Sequence, residues 1–199
     1  MAQPSPVIAG LVLAAGAGTR FGPDSKLLAD LDGRPVLEWA LAAPCAVPAL
    51  GRVVVVLGSR ADEIQARVDF GRAEPVVCDE WEAGQSASLR CGLEALAGGD
   101  GVDRVLVTLG DQPGLTPAVV ERFVAEPPGT RASFEGRPGH PVVLGGDQID
   151  ALRSVRGDQG ARGLLDGGRT VEVGHLCSGR DVDTPQDLEA VRHEARTVI

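Results

Sequence analysis

Short, almost wholly apolar runs alternate along this chain with longer segments in which hydrophobic residues recur every three or four positions. Residues 7–13, 53–57 and 104–109 carry the mostly aliphatic character of strands buried on both faces, with 53–57 a pure Val/Leu run. Residues 75–78, 132–134, 141–144 and 171–173 predict shorter strands. Helical spacing marks residues 37–43, 86–96, 117–124, 149–155 and 161–165. Ser59 is the expected cap of a polar helix reaching about Val68, and Thr116 with Pro117 is the expected start of another. Thr184-Pro185-Gln186-Asp187 has the form of a capping box opening a C-terminal helix. No long linker, repeat or low-complexity stretch interrupts the alternation, so one α/β domain over residues 1–199 is expected, with a mostly parallel sheet covered on both faces. In such sheets ligands lie beyond the carboxyl ends of the strands, where the chemistry is to be sought.

Composition narrows the partners. Hydrophobic residues make up 43% of the 199, and aromatics only 3%, so the core must be aliphatic. The formal net charge of −9 argues against nucleic acid or an anionic membrane as the main partner. Cys45, Cys78, Cys91 and Cys177 form no C-x-x-C and read as buried free thiols of a reducing cytosol. The apolar run at residues 7–17 lacks a preceding basic residue, which argues against a cleaved signal, and no run is long enough to span a bilayer. A cytoplasmic location is expected.

The first strand runs into Leu13-Ala14-Ala15-Gly16-Ala17-Gly18-Thr19-Arg20-Phe21-Gly22, followed by Lys26. Glycines here allow a tight turn that brings several backbone N–H groups toward one anion. Arg20 can fork onto phosphate oxygens, and Lys26 adds a point charge. Phe21 stands where a dinucleotide fingerprint requires its third glycine, and no Gly-Lys-Ser/Thr of a Walker loop is present. Lys26 is the one lysine among the 19 basic residues of the chain.

Asp111 follows the strand at 104–109 and is placed to hold a divalent ion beside a triphosphate, although a turn aspartate would look the same. Asp181-Val182-Asp183 precedes the last helix, where acidic groups also favour the helix dipole. Paired with Asp111, Asp183 reads as a second metal carboxylate. Gly84, Ser86 and Ser88 open a helix and could either read a nucleotide or cap it. His140, Asp158 and Arg162 are weaker candidates for the acceptor side.

These segments together resemble the molybdenum cofactor cytidylyltransferases, a branch of the NTP transferases. Leu13-Ala14-Ala15-Gly16 with Gly18, Arg20, Gly22 and Lys26 is similar to their signature loop. Gly110-Asp111-Gln112-Pro113, Asp181-Val182-Asp183-Thr184-Pro185, residues 84–89, Gly139-His140-Pro141 and residues 157–162 follow in the same order. The resemblance implies a three-layer α/β/α sandwich with a mainly parallel sheet, a Rossmann-like nucleotidyltransferase fold. It implies CMP transfer from CTP to the phosphate of a molybdopterin-type cofactor, with pyrophosphate released and Mg²⁺ as cofactor. Arg20, Lys26 and Asp111 would be catalytic. Leu13, Ala14, Ala15, Gly16, Gly18, Gly84, Ser86 and Ser88 would bind the nucleotide with Arg20, Lys26 and Asp111. Asp111 and Asp183 would hold the metal, and His140, Asp158 and Arg162 would line the pterin side. The resemblance also implies a transient complex with the molybdoenzyme that receives the product. Ala15 stands where guanylyltransferases usually carry glycine, which resembles the cytidylyl branch. Transfer of GMP, transfer to a sugar phosphate or another small acceptor, and a nucleotide-binding regulator remain the alternatives.

Overall fold

The computed structural model describes residues 6–98, 101–154 and 168–197. Its main sheet has seven strands: β1 (Ile8–Ala14), β4 (Leu50–Leu57), β5 (Glu74–Val77), β6 (Arg104–Leu109), β7 (Arg131–Phe134), β8 (Arg137–Gly145) and β9 (Thr170–Glu172). Their spatial order is β5-β4-β1-β6-β8-β7-β9. A small hairpin, β2 (Asp30–Leu31) with β3 (Arg34–Pro35), stands apart from this sheet. The strands from β5 to β6 are parallel, β8 is antiparallel to both β6 and β7, and β9 is parallel to β7.

The apolar runs became two-faced strands because side chains alternate across a sheet. In β4, Val53, Val55 and Leu57 enter one core, while Val54 and Val56 enter the other. The first core is covered by α1 (Val36–Ala46), α2 (Ala61–Arg67) and α4 (Pro117–Val124), through Leu37, Leu41, Ile64, Val119, Val120 and Phe123. The second is covered by α3 (Gln85–Ala97) and α5 (Gly146–Ser154), through Leu89, Leu93, Leu96, Ile149 and Leu152. Each such side chain contributes roughly 1.5–3 kcal/mol by leaving water. A third cluster packs Leu188 and Val191 of α6 (Pro185–Thr197) against Leu31, Val36 and Val182. The sheet with helices on both faces is the α/β sandwich that the sequence predicts.

Several local expectations need correction. Ser59 does not cap α2; Arg60 occupies that position at φ 58°, and no side chain bonds the helix start. The end of β4 is drawn instead against the first loop, where Ser59 N–H donates to the Ala15 carbonyl at 3.0 Å. Thr116 sits at the start of α4, but its buried hydroxyl makes no hydrogen bond. Helix α1 runs beyond the expected residues 37–43 to Ala46; Pro44 falls in its last turn, where the ring removes only one ladder bond. Residues 161–165 lie outside the described residues.

The capping box of α6 is realised. The Asp187 carboxylate accepts from the backbone N–H and hydroxyl of Thr184 at 2.8 and 2.7 Å, and from the Asp183 N–H at 3.2 Å. Hydrogen bonding by Thr184 holds its pKa below the ordinary 3.8. Such a cap is worth about 1 kcal/mol, so Asp187→Ala should lower Tm by about 2–4 °C, measured calorimetrically. A carboxyl whose folded pKa is depressed stabilises above its unfolded pKa and loses that contribution as pH falls through the folded value. The gap in Tm between wild type and Asp187→Ala should therefore close below pH 3.8; a gap that persists in acid contradicts the assignment.

Candidate functional site

The first strand delivers its glycine-rich turn to the carboxyl edge of the sheet. Gly18 adopts φ 61°, and a Cβ there would meet the Lys26 stem at 3.1 Å, so the turn and the lysine fit together only without a side chain at this position. Lys26 opens a single 3₁₀ turn, Lys26–Leu28, anchored by Leu27 and Leu28 in the core. Its ammonium is thereby held beside the end of β6.

There Gly110 packs so closely on β1 that a Cβ would lie 2.7 Å from Ala14 Cβ, which brings the next residue against the first loop. Lys26 Nζ lies 2.5 Å from Asp111 Oδ2 and 2.9 Å from Asp183 Oδ1. The second Asp183 oxygen pairs with Arg20 at 2.8 Å. The Lys26 side chain is only 11% exposed, whereas that of Arg20 is 72% exposed. Desolvation is the largest single influence on Lys26 and lowers its pKa, but Asp111 and Asp183 together outweigh it and hold the ammonium above its ordinary value.

Two backbone loops are stitched together to make this arrangement. The Val182 N–H donates to the Asp111 carbonyl at 2.8 Å. The buried Gln112 carboxamide donates to Asp181 Oδ1 at 2.7 Å and to the Gly179 carbonyl at 3.3 Å. Asp181 is pushed up by partial desolvation and then by the charge of Asp111, with Asp183 adding to it. A concentration of three carboxylates opposed by one buried and one exposed cation is suited to sharing a cation with a polyphosphate. Among the described residues, no group of three or more His, Cys, Asp or Glu could hold a metal alone. Two carboxylates converging on one cation nevertheless fit Mg²⁺ or Mn²⁺, which commonly completes its shell with phosphate oxygens and water.

The site opens into a cleft of about 940 Å³ lined by Arg20, Gln112, Asp181 and Asp183 at one end and by Arg131, Arg137 and His140 elsewhere. Of the residues expected at the nucleotide, Leu13 also lines it. Ala14 and Ala15 are buried at the end of β1, and Gly16 is exposed on the turn. Gly84 begins α3, while Ser86 and Ser88 are buried within that helix; Gln85 of the same segment lines the cleft. His140 is driven down to about 4 by burial and by the Arg131 charge. Asp158 and Arg162 lie outside the described residues. Sequence reasoning missed Gln112 as the tie between loops and Arg131 as a cleft residue. The Gln112-Pro113 motif was a signal for the first; Arg131 carries no local signal.

Residues 10–173 match the MobA-like NTP transferase domain. The chain is 33% identical to the nicotine blue oxidoreductase of Paenarthrobacter nicotinovorans, over 92% of this chain and 95% of that protein. It is 38% identical to the 2-C-methyl-D-erythritol 4-phosphate cytidylyltransferase of Cereibacter sphaeroides, over 94% of this chain and 73% of that protein. The crystal structure of Rv0371c from Mycobacterium tuberculosis superposes with a TM-score of 0.82 at 28% identity, covering 96% of this chain and 100% of that one. Rv0371c has also been solved in complex with manganese, and that structure matches at a TM-score of 0.75 and 28% identity over 94% of this chain and 98% of that one.

Proposed function

We propose, from the premise that this chain is a nucleotidyltransferase belonging to the MobA-like NTP transferase domain family, that it transfers CMP from CTP to the phosphate of a molybdopterin-type cofactor and releases pyrophosphate. The observation that supports this reading is the Lys26 ammonium shared by Asp111 and Asp183, the second of which lines the cleft. The acceptor phosphate is already anionic near neutral pH and needs no strong base. What opposes reaction is repulsion between anions and the charge that builds on departing pyrophosphate. Lys26 and Arg20 offset that charge, and the glycine-rich turn presents backbone N–H groups to the phosphates. Asp111 and Asp183 would hold a Mg²⁺ ion, which would supply further neutralisation. Ala15, where guanylyltransferases usually carry glycine, resembles the cytidylyl branch and supports CTP over GTP. His140 contributes a neutral imidazole to the acceptor side of the cleft.

The oxidoreductase name of one relative suggests a redox reading. Carboxylates and cations converging at the strand ends suit a polyphosphate better than a hydride donor, and on that ground transfer is preferred. The test is pyrophosphate release from each of the four NTPs with Mg²⁺, with the molybdenum cofactor, with a sugar phosphate or with no acceptor, beside an assay of NAD(P)H oxidation. Release that requires both CTP and the cofactor is expected. Release with GTP, or with a sugar phosphate as acceptor, would move the assignment to that substrate; NAD(P)H oxidation without release would overturn it.

A further inference from the structure

Among the described residues four arginines line the cleft, and three of them are paired: Arg20 with Asp183, Arg137 with Glu135 and Arg180 with Glu194. Arg131 is not. Its Nε is buried without a hydrogen-bond partner. Arg131 opens β7 opposite Val142 of β8, so it shares a sheet face with Val142 and Leu144 of the second core. The cleft there is walled by Val142, Leu144, Leu89 and Leu152. His140 stands close enough for the Arg131 charge to act on it, and the imidazole is neutral at physiological pH.

A guanidinium with a buried, unbonded N–H against apolar walls carries a desolvation penalty that an anion would relieve. The opposite end of the cleft is rich in carboxylates, which suits a metal and the phosphates it bridges. The Arg131 end offers a positive charge that no carboxylate among the described residues pairs, and a neutral imidazole. We propose that Arg131 and His140 form an anion subsite for a second acidic or strongly electronegative group of the acceptor, distinct from the phosphate joined to the nucleotide. This rests on the transferase reading above and deepens it: the acceptor is a molecule with two anionic ends. Arg131 supplies the charge, and His140 supplies a directed hydrogen bond.

The chain has three histidines, so ring ¹H–¹⁵N signals can be assigned with His140→Gln. At constant pH 7 and constant ionic strength, titrating inorganic phosphate into the wild-type protein should shift the His140 signals saturably. The response should vanish in Arg131→Met. In steady-state assays the same variant should raise KM for the acceptor by about tenfold or more, with kcat and KM for CTP little changed. Unmoved His140 signals in the wild type, an equal response in Arg131→Met, or a KM effect on CTP instead of the acceptor would each overturn the proposal. Should Arg131→Met not fold, the wild-type titration still decides, and Arg131→Lys, which keeps the charge, must keep part of the response. The phosphate titration needs no turnover, so a failure of the cytidylyl assignment and a failure of the subsite are read separately.

Discussion

Asp111→Ala should reduce turnover on the order of a hundredfold or more while leaving the fold in place. That loss corresponds to about 2.7 kcal/mol of transition-state stabilisation. The carboxylate is the group shared with Lys26, whereas the tie between the two loops runs through the Asp111 backbone carbonyl, which alanine retains. Gln112 still holds Asp181 and Gly179 in the variant. Near-native Tm and circular dichroism are therefore expected beside the collapse in pyrophosphate release. Binding of Mn²⁺, read by electron paramagnetic resonance with CTP present, should weaken in parallel. Wild-type turnover in Asp111→Ala would remove the acidic pair from the mechanism, whatever the fate of the substrate assignment.

Much of this site was legible because its parts sit at strand ends, and strand ends are readable from apolar runs. Leu13 to Gly22 follows one such run and Asp111 another, so a parallel sheet necessarily brings both to one edge. Asp183 was readable only through the capping box behind it, which fixes where α6 begins. What escaped depended on pairing between distant segments. The antiparallel insertion of β8 between β6 and β7 is not encoded in the hydrophobic pattern of any one strand. Arg131 matters only because that insertion sets it opposite Val142 over the cleft. The start of α2 was misread for a similar reason: Ser59 has the chemistry of a cap, but its N–H bonds Ala15 across the sheet edge and the helix begins two residues later. Ser86 and Ser88 show the same limit, since small hydroxyl residues near a helix start look solvent-facing until the packing of α3 on β1 and β4 buries them.

Replacing Lys26 should have two opposite consequences, and the pairing is what makes the test discriminating. Lys26→Met keeps most of the buried stem and removes the charge. Turnover should fall on the order of a hundredfold or more, because no other lysine is available and Arg20, 72% exposed, cannot substitute for a buried ammonium at the same point. Affinity for Mn²⁺ in the absence of nucleotide should instead rise. The ammonium lies within 2.9 Å of both carboxylates, so a cation entering between them must displace it or stand close beside it. At about 4 Å and an effective dielectric near 20, each pair of unit charges repels by about 4 kcal/mol. Even a small retained fraction of that term gives a gain of about tenfold in affinity. A lysine that merely supported the loop would, when removed, weaken metal binding and turnover together and lower Tm. Tighter metal binding with lost turnover separates charge at the polyphosphate from scaffolding, and it does so without assuming which acceptor the enzyme uses.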